Sequence, residues 1–349
     1  MHLSLKVCIL LLITCAPVSS WAGCALGSGL ERLEIYCLVN AINGERISSE
    51  TAKFLDSRLQ NEGYDSNFSL SAPSPRKPFK IGITPTLSYS QNINGGNPSK
   101  NLTLGNLSFA GDPSLVRKEG LLSGARLNLN GRFIYGEGRY LKYNLYAGYE
   151  YNVEHSLGVN TSGLSACSVN HISNWWYVDA CANTSRVRKD ITDDTNSNIS
   201  ITGSKVFTSG ENSYSQMNLG VNRYFASVYT QNQVVIGLDT IHANSVYSAF
   251  DVTFGEAIEN QLATRFSMST QVTAQVANKP LTLSASYARA DGGMLLGVER
   301  DETTIAVSAS YPVWKNLTAS VGYRRTDSSI DYFDVSTPTF GLQFNAIQF

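Results

Sequence analysis

The sequence predicts an all-β fold: an antiparallel transmembrane β-barrel of about 12–14 strands, with a short N-terminal helical segment ahead of it. Three observations lead there. The first is residues 126–153. Leu127, Leu129, Phe133 and Tyr135 share one face, while Arg126, Asn128, Asn130 and Arg132 share the other. After Gly136-Glu137-Gly138-Arg139, which supplies the positive φ of a tight turn, Leu141, Tyr143, Leu145, Ala147, Tyr149, Tyr151 and Val153 alternate with Lys142, Asn144, Tyr146, Gly148, Glu150 and Asn152. A period of 2 is a strand signal. Its length exceeds the roughly 5–6 residues of an ordinary strand and suits the about 9–11 needed to cross a bilayer at a tilt. The second is that no segment past the first 22 residues approaches the roughly 18 apolar residues of a spanning helix. The third is a regular alternation of long and short connections.

Composition agrees. The 349 residues carry 28 acids and 27 bases, a net charge of −1, which supplies no global field for nucleic acid. Hydrophobic content is 42% and mean hydropathy −0.12, as expected when half of every strand is polar. Eighteen tyrosines and abundant Ser, Thr, Asn and Gly favour strands joined by polar loops.

Residues 1–22 read as a signal peptide: Lys6, an apolar stretch over 7–16, and the small-x-small site Ser20-Trp21-Ala22. Ala22-Gly23-Cys24 also resembles a lipoprotein box, with Trp21 where leucine is usual. Lipidation of Cys24 would leave Cys37 unpaired, which argues against it. Past residue 22 the chain keeps Cys24, Cys37, Cys167 and Cys181. Four cysteines allow three pairings, of which Cys24–Cys37 and Cys167–Cys181 close the shortest loops. No C-x-x-C is present, so a zinc site is not expected.

Residues 23–64 predict a periplasmic helical hairpin. Leu30, Leu33, Cys37, Leu38, Ala41 and Ile42 fall on one helical face, and Asn43-Gly44 ends that helix. A second helix carries Phe54, Leu55, Arg58 and Leu59 and stops at Gly63. The hairpin reads as a cap, a plug or a partner site, or as a leader packed on the barrel rim. Residues 65–78, with Pro73, Pro75 and Pro78, read as a linker.

The barrel then spans 79–349. It starts with Phe79, Ile81, Ile83, Leu87 and Tyr89, and a long polar loop over 91–120 leads into the first hairpin. The longest irregular stretch is 154–196. Treated as one loop it leaves about twelve strands; with its cysteine-bearing part as a hairpin there are about fourteen, and bacterial single-chain barrels have even numbers. Alternation resumes at Ile199 and continues to Ala346. Reading back from the end, connections over 326–338 and 290–301 are long and those over 312–316 and 277–280 short. That is the signature of outer loops and periplasmic turns, with both termini periplasmic.

Phe340, Leu342, Phe344 and Ala346 share a face that Ile347 and Phe349 do not, which requires a bulge near Asn345 or departure from the ladder. The ending resembles that of Gram-negative outer-membrane β-barrel proteins, whose final strand closes on an aromatic residue. That resemblance implies recognition of Phe349 by the barrel insertion machinery, and an outer-membrane location with lipid around the wall. A small helical domain before a barrel that ends with Thr326-Asp327-Ser328-Ser329-Ile330-Asp331-Tyr332-Phe333-Asp334 also resembles the C-terminal barrel of surface lipoprotein assembly modifiers. Those carry a longer helical-repeat region.

No catalytic motif stands out: G-x-S-x-G, H-E-x-x-H and a Gly-rich phosphate loop are all missing, and His155 and His171 lack an orienting third group. No enzyme activity, cofactor or metal is expected. Arg126, Arg132, Lys142, Glu150, Arg223, Asp239, Arg265, Arg289 and Arg324 fall on polar strand faces and are expected to line the lumen. Basic rings there favour anions, while crossed charges would fill and rigidify a narrow barrel. Trp175 and Trp176 are expected in a disulfide-closed surface loop, and Asp327, Asp331 and Asp334 in an outer loop. The leading function is a porin-like channel for small solutes with a preference for anions. The alternatives are a barrel that translocates or assembles a secreted or surface protein recruited by the helical leader, and a structural or adhesive surface barrel.

Overall fold

The structure, a computed structural model, describes Cys24 and residues 31–42, 49–64, 79–104, 106–242 and 245–348. The signal peptide, the 65–78 linker and Phe349 lie outside the described residues. Two helices, α1 (Glu31–Ile42) and α2 (Ser49–Asn61), precede the strands. These are β1 (Phe79–Ser90), β2 (Asn101–Leu104), β3 (Leu107–Ala110), β4 (Gly120–Gly136), β5 (Arg139–Asn152), β6 (Leu157–Ser173), β7 (Trp176–Arg188), β8 (Asp193–Gly210) and β9 (Ser213–Phe225). They continue with β10 (Thr230–Ile241), β11 (Tyr247–Gly255), β12 (Ala263–Val276), β13 (Lys279–Leu295), β14 (Val298–Trp314), β15 (Leu317–Ser328), β16 (Val335–Phe344) and β17 (Ile347–Gln348).

All the long strands pair antiparallel with their neighbours in sequence, and β16 and β17 both pair with β1. Those two are pieces of one final strand interrupted at Asn345 and Ala346, so the ring holds fourteen strands. The interruption is the bulge that the parity of Phe344 and Ile347 requires. Closure leaves no edge, so backbone groups pair within the sheet, as a bilayer demands. The outward rows are apolar: Phe133, Ile199 and Leu219 are 65%, 57% and 56% exposed, which a water-facing wall does not tolerate and a lipid-facing one needs.

The twelve-strand count fails at 154–196. That stretch is not a loop but β6, β7 and the start of β8. Cys167 sits directly opposite Cys181 across the β6–β7 ladder, and the disulfide bridges two wall strands rather than closing a surface loop. The stretch escapes the alternation test because its outward residues there are Ala166, Ala180, Ala182 and Thr184, too small to signal a membrane face. One more loop shrinks, and the long 91–120 loop stays. The 290–301 connection is an extension of β13 and β14 that turns at Leu296-Gly297, with φ of 51° and 84°. The 91–120 loop carries the small β2–β3 hairpin.

The opposite end has short turns. Asn174-Trp175 and Ala277-Asn278 adopt paired positive φ (46° and 63°, 49° and 60°), the mirror-image turn that matches strand twist. The chain enters β1 and leaves β17 at this same end.

Candidate functional site: a charged lumen closed at both mouths

The helical hairpin sits inside the short-turn mouth, not on its rim. Arg32, Leu33, Glu34 and Ile35 are four consecutive buried residues on α1. A surface helix buries one stripe, so burial all round means that the barrel wall surrounds it. Leu33, Ile35, Leu38 and Leu55 pack with Tyr177, Val206, Tyr214, Ile241 and Tyr247 of β7–β11. Each buried aliphatic side chain contributes about 1.5–3 kcal/mol. Cys24–Cys37 ties the chain before α1 to the helix and occupies Cys24 in a disulfide.

Charge fixes the hairpin as much as apolar packing does. On β4 and β5, Arg132 and Lys142 stand directly opposite each other on the inner face, a like-charge pair that destabilises a bare sheet. The hairpin brings the counter-charges. Arg132 pairs with Glu31 and donates to Glu62 Oε1 at 3.2 Å and to the Asn61 carbonyl at 3.0 Å. The Tyr140 hydroxyl donates to Glu62 at 2.9 Å. On the other flank Arg32 donates to Asp179 at 2.6 Å and stacks over Tyr177, 4.1 Å from its ring centre. Arg58 holds Glu34 at 3.1 Å. The Gly138 N–H donates to the Gly63 carbonyl at 3.3 Å, so the β4–β5 turn meets the end of α2. Glu62 is almost fully buried. Burial first, then the hydrogen bond and charge of Glu31, push its pKa up to about 8. Burial would raise Glu31 too, but the bond with Glu62 and the charge of Arg132 outweigh it and hold Glu31 low. Burial and Glu31 thus favour the protonated form of Glu62, while Arg132 favours the charged form of Glu31.

At the far mouth the 91–120 loop folds over the wall's inner face. Ile93, fully buried, packs on Leu122 and Val159, with Leu157 and Val187 alongside. Asn94 accepts from Lys118 N at 2.9 Å and donates to the Val116 carbonyl at 2.9 Å. Lys189 Nζ donates to the Asn92 carbonyl at 2.7 Å, and burial lowers its pKa. Across the mouth the Tyr332 hydroxyl donates to the Ser99 carbonyl at 3.0 Å.

Between the mouths the lumen has a polarity. Arg126, Arg132 and Lys142 lie on β4 and β5. Asp239 and Asp251 lie on β10 and β11, six strand positions away in a ring of fourteen and so nearly opposite. Arg126 rests over the Tyr146 ring at 5.3 Å. Asp239 accepts from Tyr247 at 2.8 Å and Asn218 at 2.9 Å. Glu150 shares the inner face on β5, and Arg324 shares the Ala306–Thr337 rung on that face.

Two of the expected lumen residues, Arg223 and Arg289, are elsewhere. Arg223 lies in register with Ile199, and on its own strand follows Met217, Leu219 and Val221, so it points outward. Arg289 stands opposite Phe266 on the outward row. Both lie at the long-loop end of that face, where the apolar belt gives way to water and charge no longer marks the lumen. Arg265 is the extra residue of a bulge between Thr264 and Phe266, and its Nε lies 3.8 Å from Asp291. Trp175 and Trp176 are not in a surface loop. Trp175 belongs to the β6–β7 turn and packs edge-on against Tyr36 of α1, ring centres 4.8 Å apart. Trp176 faces outward with Lys205 over its ring at 5.2 Å. Asp327 engages Arg325 at 2.8 Å and Asp334 accepts from Ser328 N at 2.7 Å. Asp331 opens a single helical turn, 331–333. His155 lies 3.2 Å from the Glu119 carbonyl, and His171 packs by Tyr64 and Tyr177. The glutamates of the hairpin were missed as site residues; Arg132 opposite Lys142 was the available signal that acidic partners must come from elsewhere.

No family model matches the sequence, and no curated protein matches it. Among solved structures it is similar to OccK2 (OpdF) of Pseudomonas aeruginosa, at 8% identity and a TM-score of 0.44 over 77% of this chain and 98% of that one. It is also similar to OccAB2 of Acinetobacter baumannii, at 8% and 0.41 over 78% and 98%, and to a BenF-like porin from Pseudomonas fluorescens Pf-5, at 8% and 0.42 over 78% and 99%. No residue role or solute is carried over from these likenesses.

Proposed function

We propose that this barrel is a gated outer-membrane channel for small solutes, in which the helical hairpin is the gate. The observation that carries this reading is the double use of Arg132: it is a lumen cation of the β4–β5 wall and the anchor of Glu31 and Glu62. While the hairpin is docked, Glu31 and Glu62 occupy Arg132. When it leaves, Arg132, Lys142 and Arg126 face the water path together and favour small anions. Ion pairs suit a reversible contact, since they are geometry-specific and weaken once water enters. The short turns at the mouth that holds the hairpin support a periplasmic position for the gate. The hairpin as a recruiter of a protein client is less favoured, because its apolar residues Leu33, Ile35, Leu38 and Leu55 are already covered by the wall.

The test is planar-bilayer recording of the full chain beside Arg132→Ala. The wild type is expected to be mostly closed with brief openings that select anions. The variant should open more often. A variant that inserts, resists heat in SDS and never conducts would refute the channel reading.

A further inference from the structure

Across the lumen from the basic wall, two neighbouring rungs on the inner face of β9–β11 bring two carboxylates together. Gln216, Asp239 and Ala249 stand opposite one another on the first rung, and Asn218, Gly237 and Asp251 on the second. The first rung lies one inner position deeper in the barrel than Tyr214 and Ile241, which pack on the docked hairpin.

Gly237 leaves a gap between the two acids. A Cβ there would stand 2.6 Å from Asp251 Oδ1 and 3.3 Å from Asn218 Nδ2. Asp251 therefore leans across β10 toward Asn218, whose amide donates to Asp239 Oδ2 at 2.9 Å. The Tyr247 hydroxyl donates to Asp239 Oδ1 at 2.8 Å. Both partners are donors, so they orient Asp239 as an acceptor and leave it lone pairs to spare. Asp251 faces the open lumen, so an ion reaches the pair from the water path.

Two further observations say that something is to be bound there. Asp239 is only 9% exposed, yet among the described residues neither it nor Asp251 forms an ion pair. A buried carboxylate calls for a counter-charge, and this wall supplies none. Gln216 is 6% exposed, and its Nε2 donates to Asn218 Oδ1 at 2.9 Å. Its carbonyl Oε1 is buried at the edge of the same cluster with no hydrogen-bond partner.

We propose that Asp239, Asp251 and Gln216 Oε1 bind a calcium ion in the lumen, with water completing its shell. All three ligands are oxygens from different strands, and no imidazole or thiolate joins them, which selects a hard cation. Calcium accepts an irregular set of carboxylate, amide and water oxygens, whereas magnesium demands a near-ideal octahedron. The site needs the closed barrel and the β9–β11 register, not an open pore.

The test is calorimetric titration of the full-length refolded protein, stripped with a chelator in detergent and sodium chloride, with calcium chloride. Saturable binding of one calcium per chain is expected, with magnesium about tenfold weaker. Asp251→Asn and Gln216→Met, which removes the carbonyl and keeps the length, should each lower calcium affinity about tenfold. Gly237→Ala should lower it by displacing Asp251, and Asp331→Asn, in an outer loop, should leave it unchanged. Heat-modifiable mobility in SDS confirms that each variant is folded. No saturable binding by the folded wild type would overturn the site and leave Asp239 and Asp251 to protons. Unchanged affinity in folded Asp251→Asn and Gln216→Met, or loss of binding in Asp331→Asn, would overturn it as well. Conductance does not enter the measurement, so failure of the channel reading and failure of this site are separate results.

Discussion

Glu62→Gln is the sharpest perturbation of the gate. Docked, the Glu62 carboxyl has its pKa pushed up to about 8; released into water it returns to its ordinary 4.5. Between those values the docked state keeps a proton that the released state gives up. Docking is therefore strongest near pH 4.5, since Glu31 is lost below it; it weakens as pH rises through the window and levels off above 8. The slope approaches about 1.4 kcal/mol per pH unit in mid-window, a factor of about ten in the docked-to-released ratio, less what the lowered Glu31 returns near pH 4.5. Glutamine has the shape of the protonated acid. Its oxygen accepts from Tyr140 and Arg132 as Glu62 does, and its amide donates to Glu31 in place of the Glu62 proton. Single-channel open probability, recorded from pH 5 to 9, should rise steeply with pH in the wild type and stay low and nearly flat in Glu62→Gln. Parallel profiles in the two proteins would refute the protonation of Glu62. A wild type that closes as pH rises would refute the sign.

Arg132→Ala strands two carboxyls against a buried wall; breaking such a pair costs about 3–5 kcal/mol, so open probability should rise at least a hundredfold. Reducing the Cys24–Cys37 bridge, or replacing both cysteines with serine, frees a segment 13 residues long; about 3 kcal/mol of hairpin stability should go, seen as longer openings with SDS heat resistance of the barrel intact. Gly138→Val places a Cβ 2.7 Å from the Tyr64 hydroxyl and 2.8 Å from His171 Cβ at φ +61°, and should loosen the hairpin's seat, measured as faster amide exchange in α2. Replacing Arg126 and Lys142 together with glutamine should shift the reversal potential in a salt gradient toward cation preference, without raising open probability by itself.

The barrel was legible because its signal is local. Alternation at Leu141, Tyr143 and Leu145 follows from chain geometry, and so does the bulge that Phe344 and Ile347 demand. Legibility failed where the outward side chain was small, as at Ala166 and Ala182 on β6 and β7, since alanine marks neither face. It failed also where charge was taken to mean lumen. Arg223 follows Val221 at the correct outward parity, but its strand has by then passed the apolar belt, and alternation carries no information on depth.

By itself the sequence determined the strand periodicity, the antiparallel architecture, the advantage of local disulfide pairing and the helical character of the leader. Each depends on spacings within some fifteen residues. The tertiary structure alone decided that the ring holds fourteen strands, that the hairpin lies inside its mouth, and that Glu62 sits beside Arg132, 70 residues away. Docking is a contest between burial, charge pairing and the repulsion of Arg132 and Lys142 across one rung. Those forces act between residues whose proximity no local pattern encodes, and they exist only once the barrel has closed around the helices.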